Sequence, residues 1–188
     1  MIMHTRHHRE ILQSIARRAM LQRGLLPDFS TAVLVELGRL QIPTITETSL
    51  VDGLPGIRDL RNLLWASIDN DDSRDLDQLT VAESLPAGWV KILVAIADVD
   101  SLVKKGSAID LHARNNTTSV YTAAEIFPML PEVISTGMTS LNFEQDRLSI
   151  VIEMMVDTGG NLQESTIYKA WVRNHAKLAY NSVAAWLE

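Results

Sequence analysis

The stretch Leu63-Leu64-Trp65-Ala66-Ser67-Ile68-Asp69-Asn70-Asp71-Asp72-Ser73-Arg74-Asp75-Leu76-Asp77-Gln78 runs from an apolar approach into a loop that carries five carboxylates between Asp69 and Asp77. Within the loop Arg74 is the one basic residue. Carboxylates packed this densely repel one another unless a cation sits among them, and hard oxygen donors suit Mg²⁺ or Mn²⁺. Two other readings stand beside metal binding. A helix-loop-helix calcium loop starting at Asp69 requires glycine at its sixth position and glutamate at its twelfth, where this chain has Arg74 and Thr80, so the turn and the closing ligand are both missing. A solvated acidic turn is the simplest account of a charge run taken by itself.

Working outward, further short tracts recur in a fixed order. They are Arg23-Gly24-Leu25-Leu26-Pro27-Asp28-Phe29-Ser30, Asp59-Leu60-Arg61, Ile96-Ala97-Asp98-Val99 and Gly106-Ser107, then Thr118-Ser119-Val120-Tyr121. After them come Phe127-Pro128-Met129-Leu130-Pro131, Ser140-Leu141-Asn142, Asp146-Arg147-Leu148 and Ala176-Lys177-Leu178-Ala179-Tyr180, which runs into Trp186-Leu187-Glu188. In order and spacing this set resembles the catalytic start of the ribonuclease II and R family, the RNB-domain exoribonucleases. The tract Pro128-Met129-Leu130-Pro131 followed by Ser140-Leu141 is more specific than any scatter of aspartates.

The resemblance implies a magnesium-dependent 3′–5′ exoribonuclease that removes nucleoside 5′-monophosphates from single-stranded RNA one at a time. It carries Asp69, Asp75 and Asp77 over as catalytic and metal-binding aspartates. At the fourth metal position this chain reads Gln78 where the family pattern has aspartate. A neutral amide offers one carbonyl oxygen and no charge, so metal affinity is expected to fall unless Asp71 or Asp72 compensates. Tyr121 matches the aromatic residue that stacks near the 3′ end of the RNA; as a residue of a strand Ser119–Thr122 it also reads as a core side chain. Arg114, seven residues upstream, has two readings, a phosphate contact and a solvated helix position. The family's catalytic domain continues past the Trp186-Leu187-Glu188 match. The resemblance therefore implies that this chain holds its first half, with the remainder or a pairing chain as its partner. The alternative is a non-catalytic module that keeps the fold and binds RNA or a partner.

Composition limits the rest. With 188 residues, 46% of them apolar, the chain can bury one core of ordinary size. It has no cysteine, which excludes a disulfide framework and suits a cytoplasmic setting. No stretch is long and uncharged enough to span a bilayer. A net charge of −6 sits against RNA binding, although the acids concentrate between Asp59 and Asp77 and basic residues gather at Arg6–Arg23 and Lys169–Lys177.

The expected fold is α+β: a short helical lead-in and linker over 1–58, then a mixed, largely antiparallel sheet with flanking helices over 59–188. Ile11, Leu12, Ile15, Ala16 and Ala19 form a helical stripe from His8 to Gln22, stopped by Gly24 and Pro27. Ser30 reads as the N-cap of a second helix with Val33, Leu34 and Leu37 on one face. Residues 41–62 read as a linker. Val90–Ala97, Leu148–Met155 and Ser165–Val172 read as strands, the last two joined by a turn at Thr158-Gly159-Gly160-Asn161. Helices are expected after Asp110 and over Lys177–Leu187. His4, His7 and His8 are read as a solvated terminus, Met154 and Met155 as core, and the four tryptophans as packing residues, with Trp65 a possible exception beside the aspartates.

Overall fold

Helices α1 (Ile2–Gln22) and α2 (Thr31–Leu37) precede strands β1 (Ile57–Asp59), β2 (Ala66–Asp69), β3 (Gln78–Ser84) and β4 (Val90–Ala97). Then follow α3 (Ala108–Asn116), β5 (Val120–Tyr121), β6 (Ile126–Phe127), a π-helical turn over Val133–Met138, β7 (Asp146–Val156), β8 (Leu162–Arg173), β9 (Ala176–Ala179) and α4 (Tyr180–Leu187). This computed structural model describes residues 2–43 and 57–188, and only the backbone for residues 2–7. The chain forms two compact units, one of residues 1–41 with 103–132 and one of 42–102 with 133–188.

The second unit is built on a seven-stranded sheet in the order β1-β8-β7-β4-β3-β2-β9. Pairing is antiparallel from β8 through β7, β4 and β3 to β2, and parallel where β1 joins β8 and β9 joins β2. Apolar residues at period two give the sheet its buried side. Trp65, Leu79, Leu93, Ala95, Leu141, Val151, Ala170 and Val172 form one buried cluster. The β7–β8 turn is fastened by Asp157, whose Oδ1 accepts the N–H groups of Gly159 (2.8 Å) and Asn161 (2.9 Å).

Charge ties the strand ends together. Arg61 grips both carboxylate oxygens of Asp59 at 2.8 and 2.7 Å and reaches Asp146 at 3.0 Å, while Arg173 donates to Asp146 at 2.6 Å. The Arg61 hydrogen bonds hold Asp59, and the Arg173 hydrogen bond above all holds Asp146, below the usual carboxylate range. At the β1–β8 seam Arg58 lies 3.6 Å over the Tyr168 ring, whose hydroxyl donates to Glu153 at 2.5 Å. Burial first, and that carboxylate second, push the Tyr168 phenol up to about 12.

In the first unit α1 runs to Gln22 and ends at Gly24, in the left-handed region at φ +73°. The Ser30 hydroxyl caps α2 by accepting the Val33 N–H at 3.3 Å. Asn116 clamps the Leu26 backbone from both sides, Oδ1 accepting its N–H and Nδ2 donating to its carbonyl, each at 2.9 Å. That clamp orients the amide so that Nδ2 also donates to His112 Nε2 at 3.2 Å. His112 is therefore neutral with its proton on Nδ1, and Phe29 packs on its ring at 4.4 Å.

The α+β reading with a largely antiparallel sheet holds. Several local expectations change. Part of the supposed linker, Ile57–Asp59, is a strand, because three residues pairing in parallel with distant β8 carry no readable periodicity; positions 44–56 lie outside the described residues, as do the side chains of His4 and His7. Lys177 to Ala179 extend the sheet as β9, and the helix begins at Tyr180. The helix placed after Asp110 begins earlier, capped by Ser107. On α2 Val33 is buried while Leu34 is 55% exposed. Trp65 belongs to the core, its Nε1 donating to the Leu60 carbonyl at 2.8 Å. Trp186 is 75% exposed. Met154 and Met155 are half-buried.

Burial holds the His112 imidazole below its ordinary value of 6.5. On acidification the unfolded chain binds this proton first, so the stability contributed by neutral His112 is complete above pH 6.5 and is lost as pH falls from there through the lower folded value. Thermal melts from pH 7.5 to 5 are expected to fall more steeply for the native chain than for His112→Gln; parallel curves would remove this histidine from the acid response.

Candidate active site

The acidic loop joins the end of β2 to the start of β3. Between these strands one pair registers, Ala66 with Thr80, and beyond it the backbones part around residues 70–77. On its other side β2 runs in register with β9, Asp69 opposite Ala179. Asp69 is half-buried at the strand end, its Oδ1 accepting the Asn70 N–H at 2.7 Å. Asp71 and Asp72 form an exposed turn closed by Ser73 N–H to Asn70 carbonyl at 3.2 Å. Asp75 and Asp77 are exposed on either side of Leu76, which is buried. Gln78 opens β3 opposite Ile96.

The second half of the loop is fixed from below. The Leu76 N–H donates to Ser140 Oγ at 3.0 Å, and the Leu141 N–H returns a bond to the Leu76 carbonyl at 2.7 Å. Ser140 Oγ lies 3.0 Å from the Arg74 carbonyl and 3.1 Å from Asn142 Oδ1, acceptors that compete for its single proton. The Asp77 carbonyl accepts the Ala97 N–H at 2.9 Å. Ser140 is held in turn by Arg147, which donates to its carbonyl and to that of Gly137, both at 3.0 Å. Burial lowers the Arg147 guanidinium from its ordinary value, against the favourable charge of Asp146. The π-helical turn that precedes this support is uncommon and recurs near functional sites.

Two supports were not singled out by sequence reasoning. Asn174 is buried, its Nδ2 donating to Ser67 Oγ (3.1 Å) and the Leu141 carbonyl (3.0 Å), its Oδ1 accepting the Ala176 N–H (3.1 Å). It fastens β2, β9 and the Ser140 segment to one point. Lys177, on β9, donates from Nζ to the carbonyls of Asp71 (3.3 Å) and Ser73 (2.8 Å). The Ala176-Lys177 tract was visible in the sequence, but its contact with a loop a hundred residues earlier was not.

Asp69, Asp75, Asp77 and Gln78 thus share one loop and its flanking strand ends. Their oxygens are the donor set a hard divalent cation takes. Among the described residues no group of three or more His, Asp or Glu side chains is gathered to hold a metal ion. Tyr121 and Arg114 belong to the other unit. Tyr121 lies on the β5–β6 hairpin and is 69% exposed, so the core reading of its side chain does not hold. Arg114 is exposed in the last turn of α3.

A family model described as the RNB domain matches residues 57–188. The chain belongs to the RNB-domain family. Ribonuclease R of Escherichia coli is 40% identical over 143 residues, which are 76% of this chain and 18% of that relative. The chain therefore spans less than a fifth of its length. Among solved RNB-type structures, Mycoplasma genitalium RNase R in complex with double-stranded RNA superposes with a TM-score of 0.78 at 28% identity, over 89% of this chain and 29% of that one. Yeast Ssd1, described as a pseudonuclease, shares the fold with a TM-score of 0.65 at 15% identity, over 79% of this chain and 18% of that one. Relatives of this RNB chain are thus named ribonucleases, and the fold also occurs without the activity. Among the described residues no helix is long and apolar enough to cross a membrane.

Replacing Ser140 with alanine strips a buried N–H and a carbonyl of their partner. The expected cost is about 1–3 kcal/mol, and amide exchange at Leu76 should quicken by about tenfold or more. Unchanged exchange would show that Leu76 is held by packing alone.

Proposed function

We propose that this RNB-domain chain carries the metal-binding aspartates of a 3′–5′ exoribonuclease that hydrolyses single-stranded RNA to nucleoside 5′-monophosphates. The observation that supports it best is that half-buried Asp69 ends β2 while Asp75 and Asp77 stand exposed on either side of Leu76, whose backbone the chain fastens from below. In this reading Asp69, Asp75, Asp77 and the Gln78 carbonyl oxygen hold Mg²⁺, or Mn²⁺. When bound, such ions supply an activated water, orientation of the scissile phosphate and stabilisation of the leaving 3′ oxygen. Exposed Tyr121 offers a face on which any base can stack, worth about 1–3 kcal/mol per base, and Arg114 a cation for a phosphate. A sequence-tolerant contact suits an enzyme that must accept every base in turn. The remainder of the catalytic domain, or a pairing chain, completes the site, and a reducing cytoplasm suits a chain without cysteine.

A second reading has its own support. Gln78 removes one negative charge from the set, and a chain that keeps the fold to bind RNA or a partner without cleaving it tolerates that loss. The two separate on metal dependence. A time course with 3′-hydroxyl and 3′-blocked single-stranded RNA, with and without Mg²⁺, is expected to give mononucleotides only from the free 3′ end and only with metal. Asp77→Asn should lower that rate by about 10²-fold or more, as the several kcal/mol of metal-supplied stabilisation implies. RNA binding that survives chelator with no turnover would favour the non-catalytic module.

A further inference from the structure

The Lys177 ammonium grips the acidic loop by its main chain: its donors go to the carbonyl oxygens of Asp71 and Ser73, at 3.3 and 2.8 Å. Lys177 can reach there because β9 runs parallel beside β2, with Lys177 opposite Ser67 and Ala179 opposite Asp69. Buried Asn174, three residues before it, fixes where β9 begins by accepting the Ala176 N–H. The ammonium therefore stands, exposed, on an edge strand paired with β2 and holds the half of the loop that Ser140 does not touch. It also brings a positive charge to a segment whose five acids are otherwise accompanied by Arg74 alone. Ionic hydrogen bonds to carbonyls are about twice as strong as neutral ones.

We propose that Lys177 is the positioning residue of the acidic loop, clamping residues 71–73 so that the carboxylates on both sides start from a fixed backbone when a divalent cation binds. The consequence for the cation rests on the metal-binding reading above; the clamp itself does not. A cation that meets a fixed backbone need order only side chains, whereas one that meets an open loop must also restrict main-chain torsions.

Two readouts on the full chain decide it. Arg74 is an exposed trypsin site inside the loop, and cleavage after it in chelator, followed by mass spectrometry, reports opening without any metal. Lys177→Met should speed that cleavage about tenfold, with Lys177→Arg staying within about threefold of the native rate. Cleavage after Lys91, in the middle of the sheet, should stay slow in all three and so separates loop opening from unfolding. Mn²⁺ titration followed by electron paramagnetic resonance should show about tenfold weaker binding in Lys177→Met, largely restored in Lys177→Arg. Equal cleavage after Arg74 in native chain and Lys177→Met would overturn the clamp. Faster cleavage with unchanged or tighter Mn²⁺ binding would overturn its positioning role, because the ammonium would then be only a local repulsion. A native chain that binds no Mn²⁺ would remove the metal reading, and the cleavage rates would still decide the clamp.

Discussion

A main-chain N–H taken out of water must find an acceptor, and for Leu76 that acceptor is the hydroxyl of Ser140, itself without solvent exposure. The bond joins two parts of the chain sixty-four residues apart, and much of the second unit is arranged to keep it. Arg147 fixes the Ser140 carbonyl, Asn174 fixes Leu141, and the Leu141 N–H closes the ring on the Leu76 carbonyl. With Leu76 buried at this point, Asp75 and Asp77 must emerge on either side of it. The acidic loop is thus an exposed charge cluster on a buried stem, which lets the fold carry so many carboxylates without desolvating them.

The sequence made the long strands and the first helices legible because their signals are local. Val90–Ala97, the β7–β8 turn at Asp157–Asn161, and the Ser30 cap each depend on residues within a turn or two of one another. What was missed depends on partners far away. Ile57–Asp59 and Ala176–Ala179 are short strands whose pairing is parallel and non-local, and no periodicity over three or four residues announces that. Lys177–Leu187 looked helical throughout because Ala, Leu and Lys favour helix, yet pairing with β2 claims the first three residues for the sheet. Trp65 was weighed as a neighbour of the aspartates by sequence proximity, but it stands just before β2, buried in the core cluster with its Nε1 bonded to the Leu60 carbonyl.

The candidate site was legible in its residue types and illegible in its support. Aspartate spacing located the loop, and the resemblance supplied roles for Asp69, Asp75 and Asp77. Ser140-Leu141-Asn142 and Ala176-Lys177 were recognised as tracts without any physical reason for their presence. The geometry gives that reason. One tract accepts and returns the hydrogen bonds of Leu76, and the other holds the opposite half of the loop through Asp71 and Ser73. Motifs that carry no carboxylate are here the mounting of a loop that carries five.

Gln78 can be judged against that mounting. It is the first residue of β3, paired with Ile96, and Asp77 before it is tied through its carbonyl to Ala97. The backbone at both positions is therefore set by the sheet, and exchanging aspartate for glutamine at 78 alters charge and reach without altering the frame. An amide oxygen is a weaker ligand for a hard cation than a carboxylate, so on the metal-binding reading proposed above glutamine at 78 would act on affinity. Asp71 and Asp72 cannot replace the missing charge on equal terms, because they sit at the loop tip, where the main chain is secured by a turn bond and by Lys177 and not by a strand. A carboxylate whose main chain is held by a strand or by the Leu76 hydrogen bonds would need to order only its own rotamers to meet a cation, whereas one at the tip would also have to be brought to it. On the metal-binding reading proposed above, the charge missing at 78 would fall mainly to Asp69, Asp75 and Asp77, and the ring of hydrogen bonds around Leu76 would set how much of it Asp75 and Asp77 can absorb.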